Sequence, residues 1–286
     1  MPTMPASIRN LTVPAALRPW VAQLWAARTD ADASCTREHV LPTGQMHLVV
    51  RVSGPPLRVF DARDPRRSDT LAGPIVGGVR ERFYVKEHGA AVVSVGAVLR
   101  AGASLALFGV SAAELAGRHT PLADLWGSDA DALHEQMAAE HEPQARLAGL
   151  CLCLQRRVSH APVVPASVHH AIDALSHPEP ARAPRIDALV RAGSISHRGF
   201  IARFRQATGL GPKRYARLMR LRELLQALAH TPGANLADLA LRCGYSDQAH
   251  MAREFRDLTG LTPSGYRTRA PRQPHHVPLA TADPPA

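Results

Sequence analysis

Residues 204–215 read FRQATGLGPKRY and residues 255–266 read FRDLTGLTPSGY. The two stretches lie 51 positions apart and agree at seven of twelve residues. Self-similarity at a fixed offset marks one supersecondary unit present twice. Upstream, Phe200 faces Met251 at the same offset, and Leu189 faces Leu239 at an offset of 50. One residue has therefore been gained or lost between the two anchors.

Spacing builds the unit. Ile186, Leu189 and Val190 share one face of a short helix, and Ala192 to Ser194 supply a turn containing Gly. Ser196 then caps a second helix, with Phe200 and Phe204 one turn apart and facing a core. In the second copy Leu236, Leu239 and Ala240 form the first helix, Cys243 to Ser246 the turn, and Met251 and Phe255 the inward pair. Gly209 and Gly260 suit the position just past a helix end, and Pro212 and Pro263 the first turn of a following helix. The pattern predicts two helix-turn-helix units, about 185–211 and 235–262, joined by a helix about 212–229. On that helix Tyr215, Leu218, Leu221, Leu225 and Leu228 make an apolar stripe beneath a surface of Arg214, Arg217, Arg220 and Arg222.

With those anchors inward, the opposite face of the first unit's second helix carries Arg198, Ile201, Ala202 and Arg205. The equivalent face of the second unit carries Gln248, Ala249, Ala252, Arg253 and Arg256. A B-DNA major groove, about 12 Å wide, admits a helix, and Arg and Gln can make paired hydrogen bonds to guanine and adenine edges. Charge points the same way. The chain of 286 residues has 34 Lys plus Arg against 24 Asp plus Glu, for +10. Residues 185–272 hold 16 basic and 6 acidic side chains, net +10, while residues 1–184 hold 18 and 17, net +1. A segment so charged is built to meet a polyanion.

The rest of the composition excludes other classes. At 45% hydrophobic and 20% charged residues the chain reads as globular. No uncharged apolar stretch reaches the roughly 20 residues of a membrane helix, and the N-terminus has no export pattern, so a cytoplasmic location is expected. Cys35, Cys151, Cys153 and Cys243 form no CxxC pair, and the 15 histidines show neither HExxH nor finger spacing. No metal, cofactor or catalytic residue is expected.

Pro162 and Pro165 interrupt two helix-like stretches and divide the chain into residues 1–160 and 161–271. In the first part Arg37 to Leu99 reads as short strands: Leu48, Val50 and Val52 alternate with His47, Val49 and Arg51, and Leu57 to Phe60, Gly73 to Val79, Phe83 to Val85 and Val92 to Leu99 are bounded by Gly or Pro. Ser111 and Glu114 form a capping-box pattern, followed by helical spacing from Asp129 to Arg157. The expected fold class is α+β: an antiparallel β-rich, barrel-like sensing or dimerising domain with closing helices, then an all-α double helix-turn-helix domain. Residues 272–286, rich in Pro and Ala, read as a disordered tail.

LADLALRCGYSDQAHMAREFRDLTGLTPSGYR, from Leu236 to Arg267, resembles the signature of the AraC/XylS family of bacterial transcription regulators over its whole length. Arg185 to Arg220 resembles that family's more variable first unit. LPTGQMHLVV from Leu41, VLRAGASLALFGVSAAELAG from Val98 and PLADLWG from Pro121 are similar to the N-terminal domain of one subgroup. The resemblance implies DNA-reading helices at Ser196 to Arg205 and Asp247 to Arg256. It assigns base contacts to Arg198, Ile201, Ala202, Gln248, Ala249, His250 and Arg253, and backbone contacts to Ser196, Arg203, Arg205, Asp247 and Arg256. Leu189, Phe200, Phe204, Gly209, Pro212, Leu239, Met251, Phe255, Gly260 and Pro263 are the structural core of the units. The first unit departs from the family pattern: Ala202 stands where Arg is frequent, with Arg203 beside it. The implied partners are double-stranded promoter DNA, a small-molecule effector, a second copy of the chain and, for an activator, RNA polymerase. Two further readings stay open: a Cys-dependent enzyme half centred on Cys35 and fused to a DNA-binding module, and an architectural DNA binder without sequence preference.

Overall fold

The computed structural model describes residues 7–29, 37–61, 66–87, 91–158, 164–176, 186–191, 195–231, 233–269, 271 and 273–279. Alternation of side chains decides the first half. In Met46–Ser53 the residues Met46, Leu48 and Val50 are buried while His47, Val49 and Arg51 are half-buried, as a pleated strand between two unlike layers requires. With β1 (Ser7–Leu11), β2 (Val21–Thr29), β3 (Arg37–Val40), β4 (Met46–Ser53), β5 (Leu57–Phe60), β6 (Ser68–Leu71), β7 (Ile75–Gly77), β8 (Tyr84–Glu87), β9 (Val92–Leu99), β10 (His119–Pro121) and β11 (His276–Leu279), it builds two antiparallel sheets.

The larger sheet has the order β1-β2-β9-β4-β7-β10 and the smaller the order β11-β3-β8-β5-β6. The β-rich, antiparallel character matches the sequence reading, with the strands in two facing sheets rather than one closed barrel. Strands β1, β2 and β10 lie outside the expected 37–99 stretch. In β2 the apolar residues on both faces conceal the two-residue period.

Helices close the half. They are α1 (Ala103–Phe108), α2 (Ala112–Leu115), α3 (Ala123–Trp126), α4 (Ser128–Ala139) and α5 (Pro143–Arg157). The Ser111–Glu114 capping box forms: Ser111 Oγ accepts from the Ala113 N–H at 3.1 Å, and Glu114 Oε1 from the Ser111 N–H at 2.9 Å. The helical spacing from 129 to 157 is broken before Pro143, which opens α5. Helices α4 and α5 cover one face of the larger sheet, α5 lying on β1, β2 and β9 and α4 on β4.

The second half is helical: α6 (Ala166–Ser176), α7 (Ile186–Arg191), α8 (His197–Thr208), α9 (Pro212–His230), α10 (Leu236–Arg242), α11 (Gln248–Thr259) and α12 (Pro263–Arg269). One apolar core runs through both halves, from Leu24, Leu48 and Val95 by way of Val79 and Phe83 to Phe204, Met219 and Leu258. The stripe of α9 lies in it, with Tyr215, Leu218, Leu221, Leu225 and Leu228 all buried.

The tail corrects an expectation. Read from composition as disordered, it holds β11, which pairs with β3 in the register His276↔Val40 to Leu279↔Arg37 and buries Val277 completely. The reason is tertiary: Tyr266 donates to the Pro274 carbonyl at 2.9 Å, and the Leu41 N–H donates to the His275 carbonyl at 2.8 Å. The rest of the tail, residues 280–286, lies outside the described residues, as do the turn Ala192 to Ser194, Pro162 in the break and Cys35.

Candidate nucleic-acid interface

The duplicated sequence produces duplicated geometry. Ser196 Oγ accepts from the Gly199 N–H at 3.2 Å at the start of α8, and Asp247 Oδ1 accepts from the His250 N–H at 2.7 Å at the start of α11. At the other ends Gly209 and Gly260 have φ of 81° and 72° and donate to the Arg205 and Arg256 carbonyls. This left-handed conformation is cheap for glycine and strained for other residues. The Thr position also repeats: Thr208 Oγ1 donates to the Phe204 carbonyl and Thr259 Oγ1 to the Phe255 carbonyl, at 2.9 and 2.7 Å. Beneath each unit an aromatic pair meets edge-on, Phe204 with Tyr215 and Phe255 with Tyr266. The anchors Phe200, Phe204, Met251 and Phe255 are fully buried, and Leu189, Leu239, Pro212, Pro263 and Gly209 are buried with them.

Burying those anchors turns the other face outward. Arg198, Ala202, Arg203 and Arg205 on α8, with Ser196 at its cap, are exposed, and Ile201 is half-buried. On the second unit Asp247, Gln248, Ala249, Arg253 and Arg256 are exposed and His250 is half-buried. His250 is engaged within the protein, with Nδ1 3.1 Å from Ser246 Oγ, its ring edge-on to Tyr245 and Nε2 3.9 Å from Glu254.

The arginines divide into two sets. Arg198, Arg203, Arg205, Arg253 and Arg256 form no ion pair among the described residues. The α9 arginines, expected as a cationic surface, are instead tied down: Arg214 to Glu81 at 2.7 Å, Arg217 to Glu254 at 2.9 Å and Asp257 at 3.0 Å, Arg220 to Glu254 at 3.2 Å, and Arg222 to the Ser176 carbonyl at 2.7 Å. Glu254 is buried on the inward face of α11, so these pairs fasten the linking helix to the second unit. Sequence reasoning missed this network. Its one signal was an acidic residue between the inward anchors Met251 and Phe255.

Both reading helices are held at their C-terminal ends by the first half. The Gly102 N–H donates to the Ala207 carbonyl at 2.9 Å, and Gly209 is in close contact with Val79 and Ala112. The Phe83 N–H donates to the Leu258 carbonyl at 2.9 Å, and a Cβ on Gly260 would come within 2.6 Å of the Phe83 ring. Arg82 pairs with Asp257. The segment from Val79 to Phe83 thus touches both units.

Other chemistry is sparse. No group of three or more metal-ligating side chains occurs among the described residues, and no described helix is long and apolar enough to cross a membrane. Burial pushes the Cys151 and Cys153 thiols up and that of Cys243 up to about 11, which suppresses the nucleophilic thiolate.

These features define a protein with two helix-turn-helix units on one body. Residues 189–269 match the helix-turn-helix domain family, and residues 10–121 match a domain of unknown function, DUF6597. Over 81 residues the chain is 36% identical to the HTH-type transcriptional activator RhaS of Escherichia coli (strain SE11), a match covering 28% of this chain and 29% of that relative. Among solved structures it is similar to ToxT from Vibrio cholerae, with 10% identity, a TM-score of 0.43 and coverage of 86% and 97%. It is also similar to a probable AraC family transcriptional regulator from Rhodopseudomonas palustris CGA009, with 28% identity, a TM-score of 0.33 and coverage of 37% and 98%. Through residues 189–269 the chain is similar to the AraC-type regulators that its sequence resembles.

Proposed function

We propose that the protein is a sequence-specific transcription regulator that lays α8 and α11 into two successive major-groove segments of promoter DNA, about 34 Å apart along the duplex. The observation that carries this reading is the pair of duplicated helices whose five arginines are exposed and form no ion pair among the described residues, while the α9 arginines are consumed internally. Arg198, Gln248 and Arg253 are the base readers, with Ile201, Ala202 and Ala249 in apolar contact. Ser196, Arg203, Arg205, Asp247 and Arg256 lie against the backbone. His250, held by Ser246 and Tyr245, serves as a near-base contact. The first half senses a small molecule or mediates dimerisation, and its contacts with both reading helices carry the response.

Binding to the upstream regions of its own and adjacent genes, measured across salt concentrations, tests the reading. Arg198→Ala and Arg253→Ala should each weaken binding to the preferred site by about 1–3 kcal/mol and relax sequence preference there. Equal affinity of wild type and both variants for every sequence would leave only the architectural alternative standing.

A further inference from the structure

The face of the larger sheet turned away from α4 and α5 is built unlike a core. Across β4, β7 and β10 the register aligns His47, Gly77 and His119 in one row, with Val49 and Ile75 in the next. Trp25 covers Gly96 on the same face, a Cβ there meeting its ring at 2.5 Å, and Gly96 is paired with Val49. Trp25, His47, Val49, Gly77, Val98 and His119 are all half-buried although a second sheet stands opposite. The sheets meet in a small apolar cluster of Ile75 with Leu57 and Val59, and again where Tyr84 of β8 touches the His119 ring edge-on at 5.0 Å.

Beside that contact lies a cation that forms no ion pair among the described residues. Arg80 is half-buried, its guanidinium 4.7 Å over the Tyr84 ring and its Nε without a partner. Its Nη2 lies 3.1 Å from His119 Nδ1. No described carboxylate forms an ion pair with it, although Asp61 and Asp69 act on it electrostatically. Arg58, Arg82, Arg157, Arg214, Arg217 and Arg220 each have a carboxylate partner. Since a guanidinium only donates, His119 Nδ1 accepts and its Nε2 carries the hydrogen. That N–H lies over Gly77, 3.7 Å from where a Cβ would stand, in space a side chain would otherwise occupy. A partly desolvated guanidinium, a neighbouring neutral imidazole donor and adjoining apolar walls together suit one ligand chemistry.

We propose that the inner face of the larger sheet binds a small organic acid, its carboxylate held by Arg80 and the His119 Nε2–H with His47 alongside, and its apolar body lying along Trp25 and Val49. The proposal rests on the reading of the first half as a ligand sensor and gives that ligand a class.

The test uses the full chain in calorimetry and thermal denaturation, with benzoate and hexanoate as probes, benzamide and hexanamide as uncharged isosteres, and inorganic phosphate. Either carboxylate should bind and raise the melting temperature, and the amides should not. Arg80→Gln should weaken carboxylate binding by at least about tenfold. Because loss of Arg80 could disturb the fold, Gly77→Ala provides a second variant: its methyl, 3.5 Å from His119 Cδ2, stands on that face at ordinary contact distance. It should weaken benzoate while leaving unliganded melting unchanged. Amides binding as tightly as acids, phosphate binding in place of carboxylates, no acid binding at all, or equal acid binding by wild type and both variants would overturn the proposal. Retardation of promoter DNA by the same preparations is scored separately. Specific DNA binding without acid binding removes this site and keeps the regulator, and acid binding without specific DNA binding does the reverse.

Discussion

Glu254 sits on the inward face of α11, 8% exposed, and accepts from both Arg217 and Arg220 of α9. Removing one member of such a cluster leaves opposite charges desolvated and unmatched, which costs more than the pair is worth intact. The arginines are 35% and 27% exposed, so water softens the loss. Glu254→Gln should therefore destabilise the protein by about 1–3 kcal/mol, seen as a lower urea midpoint at unchanged m-value. An unchanged midpoint would mean that the network orients the helices without stabilising them. The exposure of Arg198 and Arg253 was legible in the sequence, because the buried Phe and Met anchors fix which way each helix turns. The occupation of Arg217 and Arg220 was not, since helical spacing names a face and says nothing of the carboxylate packed against it.

At the level of elements, the parts encoded locally were the readable ones. The cap Ser196, the stop glycines Gly209 and Gly260 and the proline starts of α9 and α12 act within a turn or two of their own position. Strand β11 is the opposite case. Its four residues HVPL stand in a stretch rich in Pro and Ala, and its partner β3 lies more than 230 residues away in sequence. It holds the tail through backbone pairing, through Val277 and through His276 Nδ1, 2.7 Å from Glu38 Oε1. Val277→Ser should cost about 1–3 kcal/mol by exposing or polarising that site. It should also speed amide exchange in Arg37 to Val40, and unaltered exchange there would show that the strand does not protect its neighbour.

For the molecule as a whole, acid is the informative stress. Burial and nearby positive groups lower His47 to about 4, His119 to about 3 and His275 to about 4. Burial is the largest cause in each, with His276 acting on His47 and His275, and Arg80, His47 and Lys86 on His119. The unfolded chain takes up protons at these histidines near pH 6.5, and the folded chain does not until much lower. The contribution is therefore complete above about pH 6.5 and is lost as pH falls towards 4, at up to about 1.4 kcal/mol per pH unit for each histidine. Denaturant melts between pH 7.5 and 4.5 should show that slope, and His47→Asn should flatten it. A flat profile in wild type would place these rings in water. An antiparallel β-rich half followed by duplicated helices was foreseeable from strand alternation and the 51-residue repeat. The shared interior was not, because nothing local in either half records the partner surface. One contact in it reaches furthest. Segment Val79 to Phe83 leans on the tail end of both α8 and α11, so the angular phase between the two helices is set in the first half as well as in α9. Each base pair inserted between two operator boxes rotates the second by about 35°. If α8 and α11 enter successive grooves as proposed, Val79 to Phe83 helps to set how strictly that rotation is measured.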